Sequence, residues 1–91
     1  MELHCGAYCE AVRAGEAGRA AAELERLRRA ATEAARRGME VHAGHGIDYA
    51  TVKAVASIPE IAELNIGHFL IGEAIFIGLE AAIRRMRALM D

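Results

Sequence analysis

The feature that most constrains the fold is a five-residue pattern that occurs three times: Glu2-Leu3-His4-Cys5-Gly6, Glu40-Val41-His42-Ala43-Gly44 and Glu63-Leu64-Asn65-Ile66-Gly67. Recurrence of this kind marks one structural unit used repeatedly. Each copy reads as a short strand, because alternation sends Glu and His or Asn to one face and Leu, Val, Cys, Ala or Ile to the other. Each copy ends in Gly. The second and third follow that Gly with a histidine, His45 and His68.

The segments between the copies have helical spacing. Leu24, Leu27, Ala31 and Ala34 recur every three or four residues, with most arginines off that stripe, which predicts an amphipathic helix from about Ala17 to Arg37. Gly38 stands where a left-handed C-terminal cap belongs, and Gly15 and Gly18 punctuate the loop leading in. Asp48 is placed to cap a short helix from about Tyr49 to Ala56, which Ile58-Pro59 ends. From about Phe69 to Met90 the chain is helix-compatible, with Gly72 and Gly78 as breaks. Strand and helix therefore alternate three times, in βα units at about 2–37, 39–57 and 62–90. The expected fold is α/β, with parallel strands and right-handed crossovers in a single domain over residues 1–91.

Six polar side chains, Glu2, His4, Glu40, His42, Glu63 and Asn65, share the strand face turned away from those helices. Burying them under a second apolar layer would be costly. They fit the interior of a (β/α)8 barrel of TIM type, where active sites lie at the C-terminal ends of the strands. With 91 residues, 20 of them Ala, there is material for one small aliphatic core.

Charge excludes some partners. Eleven basic residues are interleaved with 13 acidic ones, for a net charge of −2, so no basic face for nucleic acid is expected. The arginine-rich helix, with Glu23, Glu25 and Glu33 in its sequence, reads as a solvated face. Two cysteines are too few for a disulfide scaffold, and the longest apolar stretches are broken by Glu73 and Glu80, so neither secretion nor a membrane span is expected. The expected location is cytoplasmic.

The chemistry concentrates where strands hand over to helices. Gly44-His45-Gly46 and Gly67-His68 combine glycines, which let a ligand approach backbone N–H groups, with the start of a helix, which favours an anion. The same glycines also suit plain tight turns. His45 at such a mouth can serve as an acid or base near neutral pH, whereas His4 and His42, on strands, read as hydrogen-bonded residues of the polar face. Cys5, Cys9, His42 and His45 permit a zinc reading, although strand parity turns Cys5 away from His4.

Val41-His42-Ala43-Gly44-His45-Gly46-Ile47-Asp48-Tyr49 and Glu63-Leu64-Asn65-Ile66-Gly67-His68 closely resemble segments of the pyridoxine 5′-phosphate synthase family. The likeness extends over nearly the whole chain, including Glu2-Leu3-His4 and Glu80 to Met90. The resemblance implies a (β/α)8 barrel with extra helices, usually an octamer, with no cofactor and no metal. It implies condensation of 3-amino-2-oxopropyl phosphate with 1-deoxy-D-xylulose 5-phosphate in vitamin B6 biosynthesis. Carried over by position, His45 is the proton donor, Gly46 a substrate contact, Gly67 and His68 phosphate ligands, and Glu2 a stabiliser of developing charge. Cys5 departs from the Thr usual in the family.

A full barrel needs about 250 residues, so this chain matches the last three of eight βα units, a C-terminal fragment without the family's N-terminal substrate ligands. Two unpaired sheet edges predict a homo-oligomer. The rival readings are a non-catalytic half-barrel acting as an oligomer or as a complement to a separate N-terminal piece, and a small zinc-binding module.

Overall fold

A computed structural model describes all residues, 1–91. Three strands, β1 (Glu2–His4), β2 (Val41–Gly44) and β3 (Ile61–Asn65), form one parallel sheet in the order β1-β2-β3. Five helices complete the chain: α1 (Gly6–Arg13), α2 (Ala17–Arg36), α3 (Val52–Ala56), α4 (His68–Ile77) and α5 (Leu79–Met90). The α/β class and the strand-helix alternation follow the sequence pattern. None of the helices is long and apolar enough to cross a membrane.

Where the structure departs from expectation, the cause is local. The segment before α2, expected as a loop, holds α1, because Cys5, Tyr8, Cys9 and Val12 fall at helical spacing and pack into the core. Strand β3 begins two residues before the repeat. Val41 pairs with Ile61 but His42 pairs with Glu63, so a bulge passes over Ala62. The extra residue resets the alternation, leaving Ile61 beside the core while Glu63 faces outward.

Helix ends are fixed by backbone and side-chain capping. Gly38, at φ +79°, closes α2, with the amides of Gly38 and Met39 donating to the carbonyls of Ala35 and Ala34. Asp48 does cap the turn that leads into α3. Its Oδ1 accepts from the Thr51 amide at 3.0 Å while Thr51 Oγ1 accepts from the Asp48 amide at 2.9 Å, a reciprocal box, although regular helix starts only at Val52. The C-terminal helix divides at Gly78, and Gly72 stays inside α4.

One sheet face carries the core. Leu3, Val41 and Ala43 pack with Leu27, Ala31 and Ala34 of α2, with Val52 and Val55 of α3 and with Met86 of α5. Cys5, placed on this side by parity, is fully buried, as is Cys9. Burial pushes the Cys5 thiol up to about 11 and raises Cys9 as well. At about 11 rather than 9, a thiol carries about a hundredfold less thiolate at neutral pH. Both cysteines should therefore resist iodoacetamide at pH 8 in the folded chain and react at ordinary thiol rates in denaturant, which mass spectrometry will read. The sign for stability follows: the raised value of Cys5 favours the folded state below pH 9, and that contribution is lost as the pH climbs towards about 11.

Candidate functional site

On the opposite face the polar residues are open to solvent and joined in two sets. His42 stands between two carboxylates, with Nε2 2.8 Å from Glu40 Oε1 and Nδ1 3.1 Å from Glu63 Oε2. The hydrogen bond from His42 holds the Glu40 carboxyl below the usual range. The second set spans all three strands: Asn65 Nδ2 on β3 donates to Glu2 Oε1 on β1 at 2.5 Å. Between them lies Gly44 on β2. A β carbon there would stand 3.0 Å from Glu2 Oε1 and 3.0 Å from the Asn65 carbonyl oxygen, so the missing side chain gives the bridge its passage.

At the C-terminal ends of β2 and β3 the loops enclose a groove of about 610 Å³. His45, Gly46, Gly67 and His68 all line it, together with Arg13 and Asn65. Glu2 is not on the wall itself. It reaches the groove through Asn65.

Two features shape the first wall. His45 has φ +75°, a left-handed conformation rare outside Gly and Asn, and Gly46 follows at φ +82°. Glycine is required at 46 on two counts, since a β carbon would also meet Cys9 Cβ at 3.3 Å and Gly6 Cα at 3.6 Å. The pair turns the backbone out of β2 and presents the His45 ring at the groove. There it stacks on His4, with centroids 4.2 Å apart and planes 26° from parallel.

The second wall is the start of α4. Gly67 is its N-cap, no side chain caps the first turn, and that turn carries no acidic residue. The Gly67 carbonyl accepts from Ile71, which leaves the amides of His68, Phe69 and Leu70 as the unpaired donors of the helix. Gly67 has open space where a β carbon would project. Phe69 is steadied by Tyr49, whose ring meets it edge-on at 4.6 Å, and the Arg85 guanidinium lies 4.2 Å over that tyrosine ring.

Sequence reasoning overlooked Arg13. Its Nη1 donates to the Gly46 carbonyl at 3.1 Å and lies 3.7 Å from Asp48 Oδ2, so a half-exposed guanidinium borders the groove. The signal was present in the helical spacing of Cys5, Tyr8, Cys9 and Val12, which carries Arg13 to the end of α1. The zinc reading finds no donor set: no three His, Cys, Asp or Glu side chains are placed to hold a metal ion, and both cysteines lie in the core.

Parallel strands, helical connections and a groove at the strand ends define the class, a segment of an α/β protein with a groove at the C-terminal edge of the sheet. Comparison gives the family. All 91 residues match the family described as "Pyridoxal phosphate biosynthesis protein PdxJ", and the chain belongs to it. The pyridoxine 5′-phosphate synthase of Caulobacter vibrioides is 71% identical over 91 residues, which are all of this chain and 36% of that protein. The enzymes of the same name from Xanthobacter autotrophicus and Roseobacter denitrificans are 61% identical over 88 residues and 60% over 91, covering 34% and 36% of their lengths. The chain thus spans about a third of these curated relatives.

Proposed function

We propose that this chain is the phosphate-binding and proton-donating portion of a pyridoxine 5′-phosphate synthase, made of the last three βα units of a (β/α)8 barrel. The observation that carries the reading is the meeting of His45, Gly46, Gly67 and His68 in one groove at the uncapped start of α4. Residues 22 positions apart in sequence converge there because β2 and β3 are parallel neighbours.

In the proposed reaction, 3-amino-2-oxopropyl phosphate condenses with 1-deoxy-D-xylulose 5-phosphate, and the pyridine ring closes with release of phosphate and water. A phosphate dianion suits the first turn of α4, where the amides of His68, Phe69 and Leu70 point outward and the helix dipole is positive. Arg13 adds a cation on the facing wall. His45 delivers a proton to a leaving oxygen, a role suited to a solvent-accessible imidazole. Glu2, held by Asn65, sets a fixed negative charge near positive charge that develops on the substrate nitrogen. The enzyme acts in the cytoplasm as a homo-oligomer, without cofactor or metal.

The test uses a full-length synthase in which this sequence replaces its counterpart. Gly67→Val puts a branched side chain into open groove, so the fold is kept while KM for the phosphorylated substrates rises at least tenfold. His68→Ala does less, because its amide remains. Phosphate titrated into isotope-labelled protein should move the amide signals of His68 and Phe69 most. Largest shifts on α2, with α4 silent, would refute the phosphate assignment.

A further inference from the structure

Resting on the reading of His45 as proton donor, we infer that His4 is the positioning residue for it, the platform that fixes the His45 ring at the groove. Three observations converge. The rings are stacked 4.2 Å apart although they lie 41 positions apart in sequence. The His4 ring is itself oriented, because the Gly6 amide donates to its Nδ1 at 3.2 Å. As an acceptor that nitrogen carries no proton, so the ring keeps its proton on Nε2 and offers His45 a fixed aromatic face.

The third observation is the space cleared for the stack. A β carbon on Gly6 would fall 2.5 Å from His4 Cε1 and 3.2 Å from His45 Cδ2, so any side chain at 6 displaces one ring or the other. Gly6 thus does two things for His4, donating the amide and leaving room. The left-handed backbone of His45 is also anchored, since Arg13 grips the carbonyl of the next residue. Unusual backbone geometry persists where surrounding contacts over-determine it, and here the ring is held by His4 and the main chain by Arg13. A proton donor gains from this because a ring free to rotate presents its nitrogen to the substrate only part of the time.

The experiment compares His4→Ala, His4→Phe, Gly6→Ala, His45→Asn and the double variant His4→Ala/His45→Asn in the full-length synthase carrying this segment. His4→Ala should lower kcat about 10- to 100-fold with KM within about twofold, and Gly6→Ala should do the same by displacing the stack while the imidazole stays on residue 4. His4→Phe keeps a flat ring under His45 and should recover much of the loss. The double variant should be no slower than His45→Asn alone, because a platform has no work once its donor is gone. Losses that simply add, or a His4→Ala enzyme at the parental rate, would overturn the positioning role while leaving the donor reading intact. A parental rate in His45→Asn would instead remove the donor reading, and the platform with it.

Discussion

Replacing His45 with Asn in a full-length synthase that carries this sequence is expected to slow turnover by roughly 10² to 10⁴, with substrate affinity and fold largely preserved. The choice of Asn matters. His45 sits at φ +75°, and Asn is among the few residues that enter the left-handed region readily, so the turn into the groove survives the exchange. A bulkier or β-branched replacement would mix loss of the donor with backbone strain of the order of 1–3 kcal/mol. Steady-state kinetics, with circular dichroism to confirm the fold, separate these contributions. An unchanged kcat would make His45 an ordinary loop histidine. The loss should fall on kcat, because the groups proposed to bind phosphate, the amides at the start of α4 and Arg13, are untouched.

The second large effect is expected of the 91 residues alone: no detectable formation of pyridoxine 5′-phosphate from the two phosphorylated substrates, and association into oligomers. β1 and β3 are both sheet edges, so main-chain groups on each are free to pair with another chain. Helix α4 has no buried residue. Ile75 and Phe76 are 79% and 83% exposed, and Ile71 and Leu79 stand open beside them. The total surface, 5647 Å², exceeds the value of about 5,200 Å² that size scaling gives for a folded monomer of this mass. Apolar surface in such continuity marks a contact made with something else. The open polar face, for its part, cannot exclude water from a reacting substrate. Light scattering and an assay of the purified chain read both expectations. A monodisperse monomer, or turnover above a blank preparation, would contradict them.

Much of this arrangement was legible from spacing. The three strands, their polar face and the burial of Leu27, Ala31 and Ala34 follow from periods of 2 and 3.6, because in each case one face meets the core and the other meets water. Helix α1 was hidden by Gly6 at its first position and Gly15 just beyond its end, which read as loop punctuation, while the apolar positions of its cap and first turns include two cysteines that are easily taken for ligands. Missing α1 hid Arg13 as well. Four of the five candidate residues, His45, Gly46, Gly67 and His68, could be placed in the groove from their positions after the strands. The side-chain partnerships could not, since the His4–His45 stack and the Glu2–Asn65 bridge depend on register and rotamer, and the bulge at Ala62 shifts the register that plain alternation would assign.

The Glu2–Asn65 bridge over Gly44 has a consequence for how sequences of this kind can drift. Three positions on three strands share one small volume: a carboxylate arriving from one side, an amide from the other, and an absent side chain beneath. Any mutation that enlarges residue 44 crowds the carboxylate and the main chain of Asn65 together, and shortening Glu2 relieves only the first of these contacts while it breaks the bridge. Substitution at these sites is therefore contingent, with each first step disfavoured until another has occurred. Among descendants of this chain, positions 2, 44 and 65 should change together or stay fixed together.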